Sequence, residues 1–162
     1  MGYSLDGIDA QILALLQRDG RMQRNAISDE VGLSVSAVSE RMRKLEAHGI
    51  IEGYHAVIDA KRLHLDITAF IRVRVDGSEH YDQFVNEVTD MPEVLEVHSI
   101  TGEGSHVLKI RTKNTTTLER FLSQIQALPG VSGTSTSIVL SSFKETRAVP
   151  TEPMDAFAPN DA

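Results

Sequence analysis

Residues 25–54 read NAISDEVGLSVSAVSERMRKLEAHGIIEGY, and the fold of the chain turns on how they are parsed. Ile27 and Val31 are four apart, the spacing of one helix face, and Gly32-Leu33-Ser34 then breaks the pattern. Ser34 is suited to cap a second helix, because its hydroxyl can accept from the unpaired amides of a first turn. Val35, Val38, Met42 and Leu45 follow at helical spacing until Gly49 ends the run. A short helix, a tight turn and a longer helix are the sequence form of a helix-turn-helix. With Val38, Met42 and Leu45 turned inward, Ser36, Glu40 and Arg43 fall on the opposite face. Hydroxyls, a carboxylate and a guanidinium there can read base edges in a major groove.

The flanking sequence supplies a platform for that pair. Ile8, Ile12, Leu15 and Leu16 form an amphipathic stripe within a helix predicted over Leu5–Asp19. Asp6 and Asp9 lie in its first turn, where the helix dipole favours anions. Asp19-Gly20 stops it. From Ile50 to Ile58 β-branched and aromatic residues alternate with others, which predicts a strand. The domain organisation expected is a helix-turn-helix domain over 1–53, a linker with a strand over 54–66, a second domain over 67–147 and a disordered tail over 148–162. That tail holds Pro150, Pro153 and Pro159 with three acids and little periodicity.

The second half repeats itself. Tyr81, Phe84, Val85, Val88, Met91, Pro92 and Val94 match Leu118, Phe121, Leu122, Ile125, Leu128, Pro129 and Val131, each pair 37 residues apart. Each copy is a helix ended by an apolar-Pro-x-Val turn that leads into a strand, Val94–Thr101 or Ser132–Ser141. Ahead of each lies another strand, Ile67–Val75 or His106–Thr112. In the first of these Ala69, Ile71, Val73 and Val75 alternate with more polar residues, the mark of a half-buried sheet. Two such units predict βαββαβ, a ferredoxin-like α+β sheet with both helices on one face.

Composition narrows the function. The 162 residues carry a formal charge of −7, which argues against coating nucleic acid by bulk attraction. Positive charge is instead clustered, with Arg18, Arg21 and Arg24 before the short helix and Arg41, Arg43 and Lys44 within one turn of the longer one. Charged residues interrupt every apolar run, so no membrane span is expected. With no cysteine, disulfides and thiolate metal sites are excluded. No Gly-x-Ser-x-Gly, P-loop or dinucleotide fingerprint is present, and no enzyme activity is expected. His98 and His106 flank one hairpin, but no histidine pair has the spacing of a zinc site, and no metal or cofactor is expected.

The order of these parts closely resembles the Lrp/AsnC (leucine-responsive/asparagine regulator) family of prokaryotic transcription regulators. The resemblance rests on Leu5-Asp6, Asp9, Ile12-Leu13, Asp19-Gly20-Arg21, Val31-Gly32-Leu33-Ser34, Arg41 to Glu46, Gly49-Ile50-Ile51 and Gly53-Tyr54. Gly102-Glu103, Lys109 and Leu128-Pro129-Gly130-Val131 extend it over roughly residues 4–147. It implies a winged helix-turn-helix domain and a regulatory domain that pairs its sheet with another subunit's. It also implies dimers that assemble into octamers or other multiples, and an amino-acid effector. The protein would then act on double-stranded DNA in the cytoplasm, at the nucleoid. An architectural oligomer that wraps DNA with little effector response is the alternative.

On the recognition helix Ser36, Ser39, Glu40 and Arg43 are the candidates for base edges. Arg24, Ser34, Arg41 and Lys44 are the candidates for phosphates. Glu40 has a competing role as the ion-pair partner of Arg43 or Lys44. The hairpin Thr101-Gly102-Glu103-Gly104-Ser105-His106 reads by itself as a glycine-rich turn. The resemblance places effector contacts there, and at Ser99 and Ser137 on the neighbouring strands. Where the family commonly has an Asp and then an aromatic, this chain has Ser105 and His106, which leaves Glu103 as the loop's one carboxylate.

Overall fold

A computed structural model describes residues 3–151. Backbone contacts divide the chain into two units, Met1–Val57 with Glu145–Ala162, and Ile58–Lys144. The disordered segment expected from 148 therefore belongs with the first unit where it is described, and beyond Thr151 it lies outside the described residues.

The first unit is three helices around one core. Helix α1 (Gly7–Arg18) starts on a capping box, with Asp6 Oδ1 accepting from the Asp9 amide at 2.8 Å and Asp9 reaching back to the Asp6 amide. Helix α2 (Arg24–Val31) ends at Gly32, whose left-handed backbone (φ 69°) glycine adopts without strain. Helix α3 (Val35–Ala47) is capped by Ser34, whose Oγ accepts from the Ala37 amide at 3.2 Å. Ile12, Leu16, Ile27, Val38, Met42 and Leu45 form the shared core. Val35 departs from the stripe read in the sequence. It is 45% exposed and lines an open cleft with Leu16 of α1, Met42 and Tyr54.

A charged contact fixes α1 to α3. The Arg41 guanidinium donates from Nη1 to Asp9 Oδ1 at 2.8 Å and to Asp6 Oδ2 at 2.7 Å. Asp9 is 1% exposed and also accepts from the Tyr3 hydroxyl at 3.1 Å. Both carboxylates keep the guanidinium protonated even more firmly than usual, Asp9 first. The Asp6 carboxyl is held below the ordinary range by the Asp9 amide and then by Arg41.

No strand forms between Ile50 and Ile58, where alternation predicts one. A strand exists only as part of a ladder, and this stretch has no partner within the described chain. After it, Asp59 caps a 3₁₀ turn over Ala60–Leu63.

The second unit has the predicted βαββαβ order. Strands β1 (Ile67–Val75), β2 (Val94–Ser99), β3 (His106–Thr112) and β4 (Val131–Ile138) form one antiparallel sheet in the order β2-β3-β1-β4. Helices α4 (Tyr81–Thr89) and α5 (Thr115–Gln126) share its core. Ala69, Ile71, Val73, Leu108 and Ile110 from the strands meet Phe84, Val88, Phe121 and Ile125, all at most 2% exposed. The helix residues are the repeat partners read from the sequence. β1 alternates buried with exposed along its length, so Phe70, Arg72 and Arg74 are carried on the face away from the helices.

Replacing Arg41 by alanine should strand the buried Asp9 carboxylate and cost about 3 kcal/mol of stability, read as a lower urea midpoint. A variant of unchanged midpoint but weakened DNA binding would return Arg41 to the phosphate contacts.

Candidate nucleic-acid interface and effector hairpin

The inward face of α3 is closed by Val38, Met42 and Leu45, so every other side chain on it is sorted by angle. Ser36, Glu40 and Arg43 project together from the exposed side, with Ser39 and Lys44 at its margins. Arg43 pairs with Glu40 through two bonds, Nε to Oε2 at 2.9 Å and Nη2 to Oε1 at 2.7 Å. Lys44 Nζ lies 3.8 Å from the same carboxylate. These cations hold the Glu40 carboxyl below its ordinary range, Arg43 foremost. The ion-pair role of Glu40 is thus the one realised in the free chain. It holds an acceptor and a guanidinium side by side on the surface.

The hydroxyls are positioned by the same helix. Ser36 Oγ lies 3.0 Å from Ser34 Oγ at the capped N-terminus, where unpaired amides favour an anion. Ser39 Oγ donates to the Val35 carbonyl at 2.8 Å. Arg41 does not join this group, because its guanidinium is turned to α1. Arg24 opens α2 and borders a cleft with Leu16, Val35, Met42, Glu46 and Tyr54. Tyr54 donates to Glu46 Oε1 at 3.0 Å, and burial followed by that carboxylate pushes its phenol up to about 12. Sequence reasoning missed Val35 as an exposed apolar group beside Ser36. Its only signal was its place one residue after the cap.

In the second unit the hairpin is stapled to β1. The Ser105 amide donates to the Val73 carbonyl at 2.9 Å, and Ser105 Oγ accepts from the Val75 amide at 3.0 Å. The same hydroxyl lies 2.9 Å from His106 Nδ1. Gly104, at φ 86°, passes so close to β1 that a Cβ would stand 3.0 Å from the Val73 carbonyl oxygen, so a side chain there would be strained and crowded. Ser99 Oγ closes the far side by donating to the Ser105 carbonyl at 3.4 Å. Thr101, Gly102 and Glu103 form the exposed tip.

His106 faces the core rather than the loop. It is 2% exposed and packs against the rings of Tyr81 and Phe84, with centroids 4.9 and 5.0 Å away. Burial pushes its pKa below the usual histidine value. His98 stands opposite Val107 in the β2–β3 register and pairs with Glu96, so it projects to the other face of the sheet. The approach of His98 to His106 that their places beside one hairpin suggest does not occur, since neighbouring strand positions alternate in direction. Among the described residues no group of three His, Asp or Glu side chains gathers as metal ligands would. Ser137 stands apart from the hairpin. It pairs with Phe70, three residues along β1 from Val73 and therefore about 10 Å away.

Comparison with known proteins places both units together. Residues 5–52 match the model of a winged helix-turn-helix DNA-binding domain, and residues 68–149 match the Lrp/AsnC ligand-binding domain. The chain is 41% identical over 150 residues to the HTH-type transcriptional regulator FL11 of Pyrococcus horikoshii, covering 93% of this chain and 99% of the relative. It is 32% identical over 148 residues to the leucine-responsive regulatory protein of Escherichia coli, covering 90% of each. The crystal structure of a transcriptional regulator of Neisseria meningitidis in complex with L-methionine superposes with a TM-score of 0.87 at 29% identity, over 96% of this chain and all of that one. With the helix-turn-helix and the ferredoxin-like sheet in the same order and over nearly the whole chain, this protein belongs to the Lrp/AsnC family of transcription regulators.

Proposed function

We propose that the protein reads specific sites on double-stranded DNA as a dimer, or as an assembly of dimers such as an octamer, and that an amino acid modulates that binding. The observation that carries the reading is the exposed face of α3, where Glu40 and Arg43 stand side by side opposite a sealed apolar face. In a major groove Arg43 reads guanine, Glu40 accepts from cytosine, and Ser36 and Ser39 meet either kind of edge. Val35 adds an apolar contact suited to a thymine methyl. Lys44, Arg24 and the Ser34-capped helix end meet phosphates, which position α3 without reading sequence. Two copies related by a two-fold axis favour near-palindromic sites about one helical turn apart. The protein then works in the cytoplasm, at the nucleoid. No helix among the described residues is long and apolar enough to cross a membrane.

For the effector, the L-methionine bound by the Neisseria regulator supports an amino acid as the class. Glu103 at the exposed tip is the group to hold an ammonium, with Thr101, Gly102 and the Gly104 backbone around it. Ser105 holds the hairpin to β1, and His106 fills the core beneath it, so both act on the site by shaping it. Ser99 closes the loop. Ser137, on β4 opposite Phe70, would respond to the effector from outside the hairpin rather than touch it there.

DNA selected from a random pool provides the test of α3. Arg43→Ala should weaken selected DNA by roughly 1–3 kcal/mol while leaving unselected DNA nearly unchanged. Equal losses on both would make Arg43 a phosphate contact. Lys44→Ala should weaken both and reduce the slope of log affinity against log salt by about 0.9. An unaltered slope would count against its phosphate role. His106 is checked by stability. Its folded pKa lies below its unfolded value of 6.5, so the unfolded chain takes up the proton first. Thermal stability should therefore fall as pH drops below about 6.5, and His106→Phe should flatten that part of the profile. A profile identical to the parent's would mean that His106 ionises freely.

A further inference from the structure

After β4 the chain returns to its first unit, and residues 148–151 line a cleft there with Ala14, Gln17 and Arg18 of α1. One residue of the returning segment is held by two bonds. The Val149 amide donates to Gln17 Oε1 at 2.7 Å, and Gln17 Nε2 donates to the Val149 carbonyl at 2.9 Å. A side-chain amide carries a donor and an acceptor side by side, so it grips one backbone residue as a facing strand residue would. Val149 is 65% exposed, so these bonds rather than apolar burial hold the segment. Exposed hydrogen bonds are individually weak, and the contact is releasable. The family match ends at residue 149, which leaves the chain beyond it without an assigned role.

The clamp lies beside the basic cluster of the DNA-binding unit. Arg18 lines the same cleft as Thr151, and Arg21 and Arg24 follow it within six residues. All three are exposed, and none has an ion-pair partner among the described residues. Past Thr151 the sequence carries Glu152, Asp155 and Asp161 and no basic residue. These acids lie outside the described residues, yet the clamp limits their reach. At about 3.3–3.6 Å per residue, Asp155 stays within about 14 Å of Thr151. We propose that residues 152–162 are an anionic gate, held by the Gln17–Val149 clamp beside Arg18, Arg21 and Arg24 and displaced from them by DNA. This rests on the DNA-binding reading put forward above.

The gate has a definite signature. Three carboxylates about 10 Å from the phosphates weaken binding roughly fivefold at the dielectric of water. Salt at about 0.15 M, with a Debye length of about 8 Å, removes most of that effect. A phosphate that replaces a carboxylate on an arginine releases no counterion to the solvent from that arginine. The salt dependence of the gated chain is therefore shallower, by about 0.9 in slope for each arginine engaged. Charge alone does not read bases, so the gate lowers affinity for all sequences alike and leaves specificity to α3.

The test compares the 162-residue chain with one ended after Thr151, on unselected duplex DNA over a range of salt. The shortened chain should bind roughly fivefold more tightly at low salt, with a steeper salt slope and little difference near 0.15 M. The 162-residue chain carrying Glu152→Gln, Asp155→Asn and Asp161→Asn should match it, and carries the test alone if the shortened chain fails to fold. Gln17→Ala should give part of the gain in the 162-residue chain and none in the shortened one. It should also speed tryptic cleavage after Arg147, next to the clamped segment. Equal affinity of the 162-residue and shortened chains overturns the gate and leaves the DNA-binding reading standing. A gain that the neutral tail does not share overturns the role of charge, and one that Gln17→Ala does not share overturns the clamp. A gain accompanied by altered mass in solution overturns the gate too, since assembly then accounts for it. Chains that bind no DNA at any salt overturn both readings.

Discussion

Strand β1 is hydrogen-bonded along both edges, to β3 over Ile67–Val73 and to β4 over Ala69–Val75, and the regulatory half hangs from it. Its alternation puts four aliphatic side chains against the two helices and Phe70, Arg72 and Arg74 on the open face. The same backbone then receives the hairpin, at the Val73 carbonyl and the Val75 amide. A displacement of the 101–106 hairpin would therefore be felt by β1 itself, and through it by both halves of the repeat. Packed strands shift as units rather than deform piecemeal, so the proposed effector role of this loop would be transmitted through β1.

In the DNA-binding unit the equivalent constraint is the division of α3 into a sealed and an open side. The acidic balance of the chain gives the open side its meaning. With few cations to spare, Arg41 is consumed in holding α3 to α1, and Arg43 and Lys44 share the carboxylate of Glu40. What remains is a small, ordered, mixed-charge face. Such a face is poor at coating DNA and suited to discriminating among base edges, where a carboxylate is as informative as a guanidinium. Glu46, on the same helix, ties Tyr54 to it and so joins the reading surface to the junction segment.

Most of the fold was legible because periodicity reports which side of an element is buried. The α3 stripe, the alternation of β1 and the 37-residue repeat of Phe84 with Phe121 each describe a local face, and local faces survive into the tertiary structure. Ile50–Ile58 was read as a strand and is not one, since pairing needs a second strand that composition does not supply. Val35 fits the stripe yet is exposed, because the cleft it shares with Leu16 and Met42 is open to solvent, which spacing along one helix does not report. Asp9 reads as a first-turn anion favoured by the helix dipole, and nothing in its spacing reveals a guanidinium from a residue 32 positions later.

What the sequence determined by itself is the order of elements, the two-domain plan, the family, and the set of polar residues on one side of the recognition helix. All of these follow from residue type and spacing along a single element. Only the tertiary structure decided which of those polar residues have prior engagements. It turned Arg41 inward to a buried carboxylate, spent the Ser105 hydroxyl on β1 and placed His106 beneath the hairpin between two rings. It also set Ser137 apart from the hairpin. The physical reason is the same in each case. Hydrogen bonds and ion pairs act over a few ångströms between residues distant in the chain, and one partner's sequence position carries no record of the other's.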